Sequence, residues 1–342
     1  MLKCLNDVMQ KVVLNKKKCT EIGNVINTLK FRQTFLERDF LKFDDTIENR
    51  MRLYFFSVAI CHQTYNLADV KKNLFGWDYL EFVFMKIQKH NPELSDPEFL
   101  SKCSVEELKE KLAYVFAKNH STNICTLDNL EERAGQMIEI GKFTNKKFNN
   151  SITNLIGQAK GFLLNEDNTG FYEFLPSLKV FSDPQRKKIS FLLKLLIDTG
   201  LIKIKDPENL IPIMDYHMQR VLLRMGCVEV IDDKLKNDLI ARKPMNSDKE
   251  IREACIEAMR IISRVSGFDV LKMNDLFWPL GRSCCNEITL CRTGKCEKSP
   301  CSLLSAIEFE KHNSCVFEDV CLGASNDEYL RYWQPVVETH FY

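Results

Sequence analysis

The sequence has little of what would make a protein secreted, membrane-embedded or fibrous. Residues 1–19 thread Lys, Asn, Asp and Gln through their apolar positions and lack the apolar core of a secretory leader. No stretch approaches the roughly 18 apolar residues that a bilayer span needs. The chain is therefore expected to be soluble, intracellular and cytoplasmic, with no membrane partner. Glycine (13) and proline (10) are scarce among 342 residues, and strict two-residue alternation is nearly missing, which argues against an all-β architecture. No internal repeat, low-complexity tract or long linker interrupts the chain. An excess of one charge is also lacking, since 48 Lys plus Arg face 47 Asp plus Glu for a net charge of +1. The total charge thus announces no nucleic-acid partner, and any phosphate must be recognised locally.

What is present is helical periodicity. Apolar residues recur at spacings of three and four almost throughout, as in Leu108, Leu112, Val115 and Phe116, or Ile251, Cys255, Met259, Ile262 and Val265. The spacing predicts a mostly α-helical protein, built as one large domain or two interleaved helical subdomains. Asp183 before Pro184 predicts a helix start ahead of a buried stripe of Ile189, Leu192, Leu193, Leu196 and Ile197, with Gly200 as its stop. Asp215 predicts a second start, with Met218, Val221, Leu222 and Met225 facing inward and Gly226 ending the helix.

Cysteine is plentiful and unevenly placed. Seven of the 14 lie singly, whereas Cys284, Cys285, Cys291, Cys296, Cys301, Cys315 and Cys321 fall within 38 residues. Without a leader sequence, such clustering favours metal or iron-sulfur ligation over a disulfide framework. Composition changes near Trp278, so the expected division is an N-terminal helical extension (1–45), a helical core (46–275) and a Cys-rich segment (276–342).

Residues 211–226 read I-P-I-M-D-Y-H-M-Q-R-V-L-L-R-M-G. Through Pro212, Asp215, His217, Arg220, Val221, Arg224 and Gly226 this stretch resembles the catalytic helix of the helix-hairpin-helix (HhH-GPD) glycosylase superfamily. The resemblance implies that fold and a catalytic role for Asp215. The chemistry is independent of the family: breaking an N-glycosidic bond builds positive charge on the sugar, and a fixed carboxylate stabilises that charge or orients the attacking water. A helix N-terminus favours the ionised form this needs. An isolated Asp at such a place would be an N-cap, and the flanking matches favour catalysis. His217 is expected to pack or cap, and Arg220 and Arg224 to form ion pairs.

Iron-sulfur members of the superfamily follow their catalytic helix with G-R-x-x-C and a Cys-x6-Cys-x2-Cys-x5-Cys loop, which Gly281-Arg282-Ser283-Cys284-Cys285 and the cysteines beyond resemble. The intervals here are x6, x4 and x4. The resemblance implies a [4Fe-4S] cluster on Cys284, Cys291, Cys296 and Cys301, with Cys285, Cys315 and Cys321 as substitutes; structural zinc suits four thiolates equally well. The L-P-G-x-G hairpin that holds DNA phosphate in repair enzymes is missing, and the place of their Schiff-base lysine falls near apolar Ile197, with Lys194 close by.

The layout is nearer to the queuosine salvage nucleotide N-glycosidases. The pair Asp215-Tyr216, the run Asp232-Asp233-Lys234-Leu235, the segment Leu130-Glu131-Glu132-Arg133 leading to Gly141, and the aromatic pair Phe341-Tyr342 resemble features of that family in the same order. The likeness implies a hydrolase that frees a base from a modified, 7-deazaguanine-like nucleoside or nucleotide. The family's base-binding residues would fall on residues 61–66, where His62, Gln63, Tyr65 and Asn66 offer imidazole, amide and phenol groups of the kind that read a flat heterocycle. Tyr216 and Lys187 complete the expected substrate-binding set, the latter for a 5′-phosphate; the run Arg186-Lys187-Lys188 is otherwise read as a solvated helix face. Trp77 and Tyr79 are expected in the core. Two other readings stand beside this one: an iron-sulfur DNA base-excision glycosylase, the one case with a nucleic-acid partner, and a non-catalytic iron-sulfur or zinc module.

Overall fold

The computed structural model describes residues 10–32, 34–117, 124–296, 298, 301–308 and 313–342. It is mostly helical with small antiparallel sheets, as the periodicity predicts. Strand β1 (Val12–Leu14) precedes α1 (Lys16–Asn27) and α2 (Ile47–Ala59). Strands β2 (Ala68–Asp69) and β3 (Leu74–Phe75) then lead to α3 (Trp77–His90), α4 (Pro97–Lys102), α5 (Val105–Val115), α6 (Leu130–Phe148), α7 (Ile152–Gly157), α8 (Phe171–Phe174) and α9 (Lys187–Asp198). Beyond them come α10 (Tyr216–Met225), β4 (Val228–Val230), α11 (Asp233–Ile240), α12 (Lys249–Ser266) and α13 (Val270–Pro279). Three short helices, α14 (Leu290–Thr293), α15 (Leu322–Ser325) and α16 (Asp327–Arg331), lie in the Cys-rich segment. Among the described residues no helix is long and apolar enough to cross a membrane.

The chain divides into two compact units, the first made of Met1–Phe35 and Pro212–Glu338, the second of Leu36–Ile211 and Thr339–Tyr342. In the first, α1 packs along α12 and α10 against α12 and α13. Cys19, Ile22 and Ile26 of α1 and Cys255, Met259 and Ile262 of α12 are fully buried. Strand β1 pairs antiparallel with β4, Val12 opposite Val230 and Leu14 opposite Val228. Helix α10 ends as predicted, with Gly226 at φ 77°. A Cβ there would stand 2.3 Å from Leu322 Cδ1, so both backbone angle and close approach require glycine.

In the second unit, α2 packs on α9, and α6 on α4 and α5. Helix α6 approaches α4 so closely that a Cβ on Gly141 would lie 2.6 Å from Leu100 Cβ, which gives this glycine a packing role. Ile189, Leu192, Leu193 and Leu196 of α9 are fully buried, each contributing about 1.5–3 kcal/mol. The start of α9 differs from the expected one. Arg186 sits at φ 59°, outside helical space, so the helix begins at Lys187 instead of Pro184. The Asp183 carboxylate still accepts from the amides of Gln185 (3.0 Å) and Lys187 (2.9 Å), the capping bond the sequence suggests, made ahead of the helix. Gly200, at φ 69°, follows the helix as expected.

Candidate functional site

Asp215 caps α10. Its backbone is extended (φ −110°, ψ −179°), its Oδ1 accepts from the Met218 amide at 3.0 Å, and the residue is 7% exposed. A buried carboxylate is thus fixed at the positive end of a helix whose inner face is apolar. Tyr216 and His217 follow with ring centroids 4.3 Å apart, and His217 meets Trp278 edge-on.

Among the described residues the two arginines one and two turns along find no ion-pair partner, in place of the expected ion pairs. Both are buried, and they turn to backbone carbonyls of the Cys-rich segment. Arg220 donates to Gly281 O (2.6 Å), Cys285 O (3.1 Å) and Asn286 Oδ1 (2.9 Å), and bonds Gln334. Arg224 donates to Asn286 O (2.8 Å), Cys285 O (3.2 Å) and Tyr332 O (2.9 Å). Trp333 lies under both guanidinium groups, 4.3 Å from that of Arg220 and 5.6 Å from that of Arg224. A guanidinium presents five donors, and carbonyl oxygens satisfy them without the need for a buried anion. The helix that carries Asp215 is in this way fastened to the chain around the cysteines.

Three of those cysteines come together. The sulfurs of Cys284, Cys296 and Cys301 all lie within 4.8 Å of one another and could hold a metal ion. Cys284 ends a π-helical turn (Leu280–Cys284) that continues α13, and its Sγ is 3.4 Å from Cys301 Sγ. Ser283 Oγ stands 3.5 Å from Cys301 Sγ. The contact between the two sulfurs pulls the Cys301 thiol well below its ordinary range and pushes that of Cys284 up. Metal binding would release the protons the thiols hold. Cys291, expected among the ligands, is not brought into this group, and among the described residues no fourth His, Cys, Asp or Glu joins it.

The residues expected to bind substrate, other than Tyr216, lie in the second unit. Tyr65 is 66% exposed and Asn66 is exposed, its Nδ2 3.3 Å from Asp128 Oδ2. Gln63 adopts φ 44°, and its amide donates to Tyr342 O. His62 is fully buried: its Nδ1 faces Lys188 Nζ at 3.3 Å and its Nε2 lies 3.6 Å from Glu132 Oε2. Burial, then Lys188 and Arg133, push its pKa far below the ordinary value, which keeps the ring neutral. Lys187 is buried, with Nζ 3.7 Å from Cys61 Sγ and 5.2 Å from the Phe191 ring centroid. Trp77 and Tyr79 are buried as expected.

Two buried cations escaped the sequence reading. Arg133 is fully buried and donates to His62 O (2.9 Å) and Asp128 O (2.7 Å) as well as to Ile60 O. Lys188, read as part of a solvated face, is also fully buried and donates to Ala59 O at 2.6 Å. The signal lay in its spacing, four residues before buried Leu192. Burial, with Lys187 and Arg133 adding to it, pushes the Lys188 pKa down to about 7 from 10.5. Between those values the unfolded chain holds a proton that the folded one does not, so stability rises with pH across the window, by up to about 1 kcal/mol per pH unit. Below pH 7 both states are protonated and the contribution is flat. Urea midpoints of the wild type and Lys188→Met from pH 7 to 10 should therefore diverge, with the wild type gaining stability relative to the variant as pH rises. Parallel curves would mean that the amine stays charged in the interior.

No protein-family model matches the chain, and no curated protein matches it.

Proposed function

We propose that the chain is an HhH-GPD-type N-glycosyl hydrolase acting on a modified, 7-deazaguanine-like nucleoside or nucleotide, with Asp215 as its catalytic carboxylate. The observation that carries this reading is the buried Asp215 side chain, held at the N-terminus of α10 by the Met218 amide. In the reaction the C1′–N bond breaks with its electron pair going to the base. Water adds its oxygen to C1′, and one of its protons ends on the departing nitrogen. Asp215 faces the positive charge that develops on the sugar, or holds the water that attacks it. His62, Gln63, Tyr65, Asn66 and Tyr216 are proposed to read the base, and Lys187 a 5′-phosphate, on the strength of the family resemblance. The neutral His62 ring is suited to hydrogen bonding and unsuited to acid catalysis.

We assign the metal of the same reading a structural role. A [4Fe-4S] cluster binds each thiolate to a different iron and so spreads its ligands, whereas a tetrahedral zinc with bonds of about 2.3 Å spaces its sulfurs by roughly 3.8 Å. The close grouping of Cys284, Cys296 and Cys301 favours a single zinc-like ion at that point. Such an ion would brace the loop that α10 grips through Arg220 and Arg224 and would not meet the substrate.

A panel of modified nucleosides and their 5′-phosphates, incubated with the purified chain and followed by mass spectrometry, should yield free base from at least one member. Release only from lesion-bearing duplex DNA would replace this reading with the repair enzyme, and no release from either would leave a binding module. On the substrate so found, Tyr65→Ala should raise KM severalfold with an unchanged melting temperature, because the side chain is 66% exposed and packs against little. An unchanged KM would remove Tyr65 from the substrate site.

A further inference from the structure

Helix α6 carries two polar side chains toward the buried segment that follows α2. Glu132 and Gln136 stand one turn apart, with Gln136 Nε2 3.4 Å from Glu132 Oε1. The other carboxylate oxygen, Oε2, lies 3.6 Å from His62 Nε2. His340 Nδ1 is 3.9 Å from Glu132 Oε1, and its Nε2 is 3.5 Å from Ser182 Oγ. All of these residues belong to the second unit.

Two of the group are short of partners. His62 is fully buried and Gln136 nearly so, yet neither His62 Nε2 nor Gln136 Oε1 has a hydrogen-bond partner among the described residues. A buried polar atom left in this state costs stability until something pairs with it, so each marks a position for a ligand atom. Glu132 is the member that solvent reaches, its side chain 34% exposed. Arg133, the next residue on α6, donates to the carbonyls of Ile60 and His62 and holds that segment against the helix.

The hydrogen bonds already made fix what remains open. Lys188 Nζ donates to His62 Nδ1 at 3.3 Å, which leaves the proton of the neutral ring on Nε2. Gln136 turns its NH2 to the carboxylate, so its oxygen is the free acceptor. Along the group the open positions are therefore one N–H on His62, two carboxylate oxygens on Glu132 and one amide oxygen on Gln136. A matching ligand offers a carbonyl oxygen, then a ring N–H, then an NH2. Those three groups in that order are the edge of a 2-amino-4-oxopyrimidine ring, the pairing edge of guanine. The O and N of a cyclic amide stand about 2.3 Å apart, and slightly splayed bonds from them reach protein atoms 3.6 Å apart. The adenine edge would set an amino group against the His62 N–H and a lone pair against the carboxylate. The hypoxanthine edge would leave Glu132 Oε1 and Gln136 Oε1 unmet. A cation with the same N–H groups is disfavoured by Lys188 and Arg133, both buried beside His62.

We propose that Glu132, Gln136 and His62 form a site for the 2-amino-4-oxopyrimidine edge of the base. His62 Nε2–H meets its oxygen, the Glu132 carboxylate its ring N–H and amino group, and Gln136 Oε1 the second amino hydrogen. The assignment rests on the proposed hydrolase for its substrate class, and it adds Glu132 and Gln136 to the residues that contact the base.

Calorimetric titration of the full chain with free 7-deazaguanine, 7-deazahypoxanthine and 7-deazaadenine tests it. The wild type should bind 7-deazaguanine about tenfold or more tighter than 7-deazahypoxanthine, which lacks only the amino group, and 7-deazaadenine weakest of all. This comparison needs no variant. In Glu132→Gln, whose side chain is partly exposed and leaves the fold intact, the preference for 7-deazaguanine over 7-deazahypoxanthine should fall to about threefold or less with an unchanged melting temperature. Equal wild-type affinities for those two bases, no binding of any of the three, or a preference that survives in Glu132→Gln would each overturn the proposal. The hydrolase is judged separately: a Glu132-dependent preference in a chain that frees no base from any nucleoside upholds this site and removes the reaction. Base release by a chain without the preference does the reverse.

Discussion

Asp215→Asn is expected to lower turnover by about a thousandfold or more and to leave the melting temperature within about 2 °C of the wild type. The two effects separate because the carboxylate has two duties. As a cap it needs only an oxygen that accepts from Met218 N at 3.0 Å, and Asn supplies one about as well as Asp. The lost charge at the helix end costs about 0.3–1 kcal/mol, small for a chain of this size. As a catalyst it needs the charge itself, opposed to a sugar that becomes cationic, and there the amide has nothing to offer. Withdrawing that stabilisation is worth about 4 kcal/mol or more, which is the expected factor. The comparison requires single-turnover rates on the identified substrate beside a thermal melt. A folded Asp215→Asn chain that releases base at the wild-type rate would take Asp215 out of the mechanism.

Cys301→Ser should abolish metal binding at the triad and, on the proposed zinc reading, unfold the segment around it. Apparent binding free energies of structural zinc sites reach about 10–16 kcal/mol, so one poor ligand among three removes a large stabilisation. The loss falls on Leu303, Ala306 and Ile307, which are buried next to Cys301, and on the carbonyls of Gly281, Cys285 and Asn286, which accept from Arg220 and Arg224. Two buried guanidinium groups that lose most of their acceptors are costly, so damage should spread to α10. Hydrogen exchange is the measure: protection should fall in residues 280–308 and then in α10, with residues 36–211 unchanged. Of the three cysteines expected to be silent, Cys103→Ser, in the second unit, should leave metal and exchange as they are, Cys19 is fully buried in α1, and Cys4 lies outside the described residues. Retention of one zinc and full protection in Cys301→Ser would show that the sulfur is no ligand.

The helices were legible because their information is local. Leu108 and Leu112, or Ile251, Cys255, Met259 and Ile262, repeat at the spacing of the face they bury. Gly226 marks the end of α10 because an L side chain cannot follow the chain there. What escaped depends on partners distant in sequence. Arg220 and Arg224 resemble ion-pairing residues on a helix, yet their carbonyl acceptors lie 61 to 108 positions away. Lys188 looks solvated beside Arg186 and Lys187 until its place on the buried stripe of α9 is noticed. The cysteines illustrate the limit most plainly. Their number and clustering point to metal, and interval counting adds Cys291 to Cys284, Cys296 and Cys301, while the folded chain brings together only the last three. Neighbouring residues on an irregular turn project differently, and spacing alone does not tell which.

The pairing of β1 with β4 bears on the order in which the molecule is made. The two strands meet across 214 positions, as in the bond from Asn15 to Glu229, so residues at the front of the first unit have no partner until most of the chain has been synthesised. At about 5–20 residues per second, the wait on the ribosome is on the order of 10–40 s. The second unit is drawn almost wholly from Leu36–Ile211 and can acquire its core during that interval. α1 meanwhile presents Cys19, Ile22 and Ile26 to water, with α12 still unmade. Non-local closure of this kind slows folding and leaves an apolar helix open to chaperones or to wrong partners. Its length of exposure is set by the ribosome and not by the helix itself.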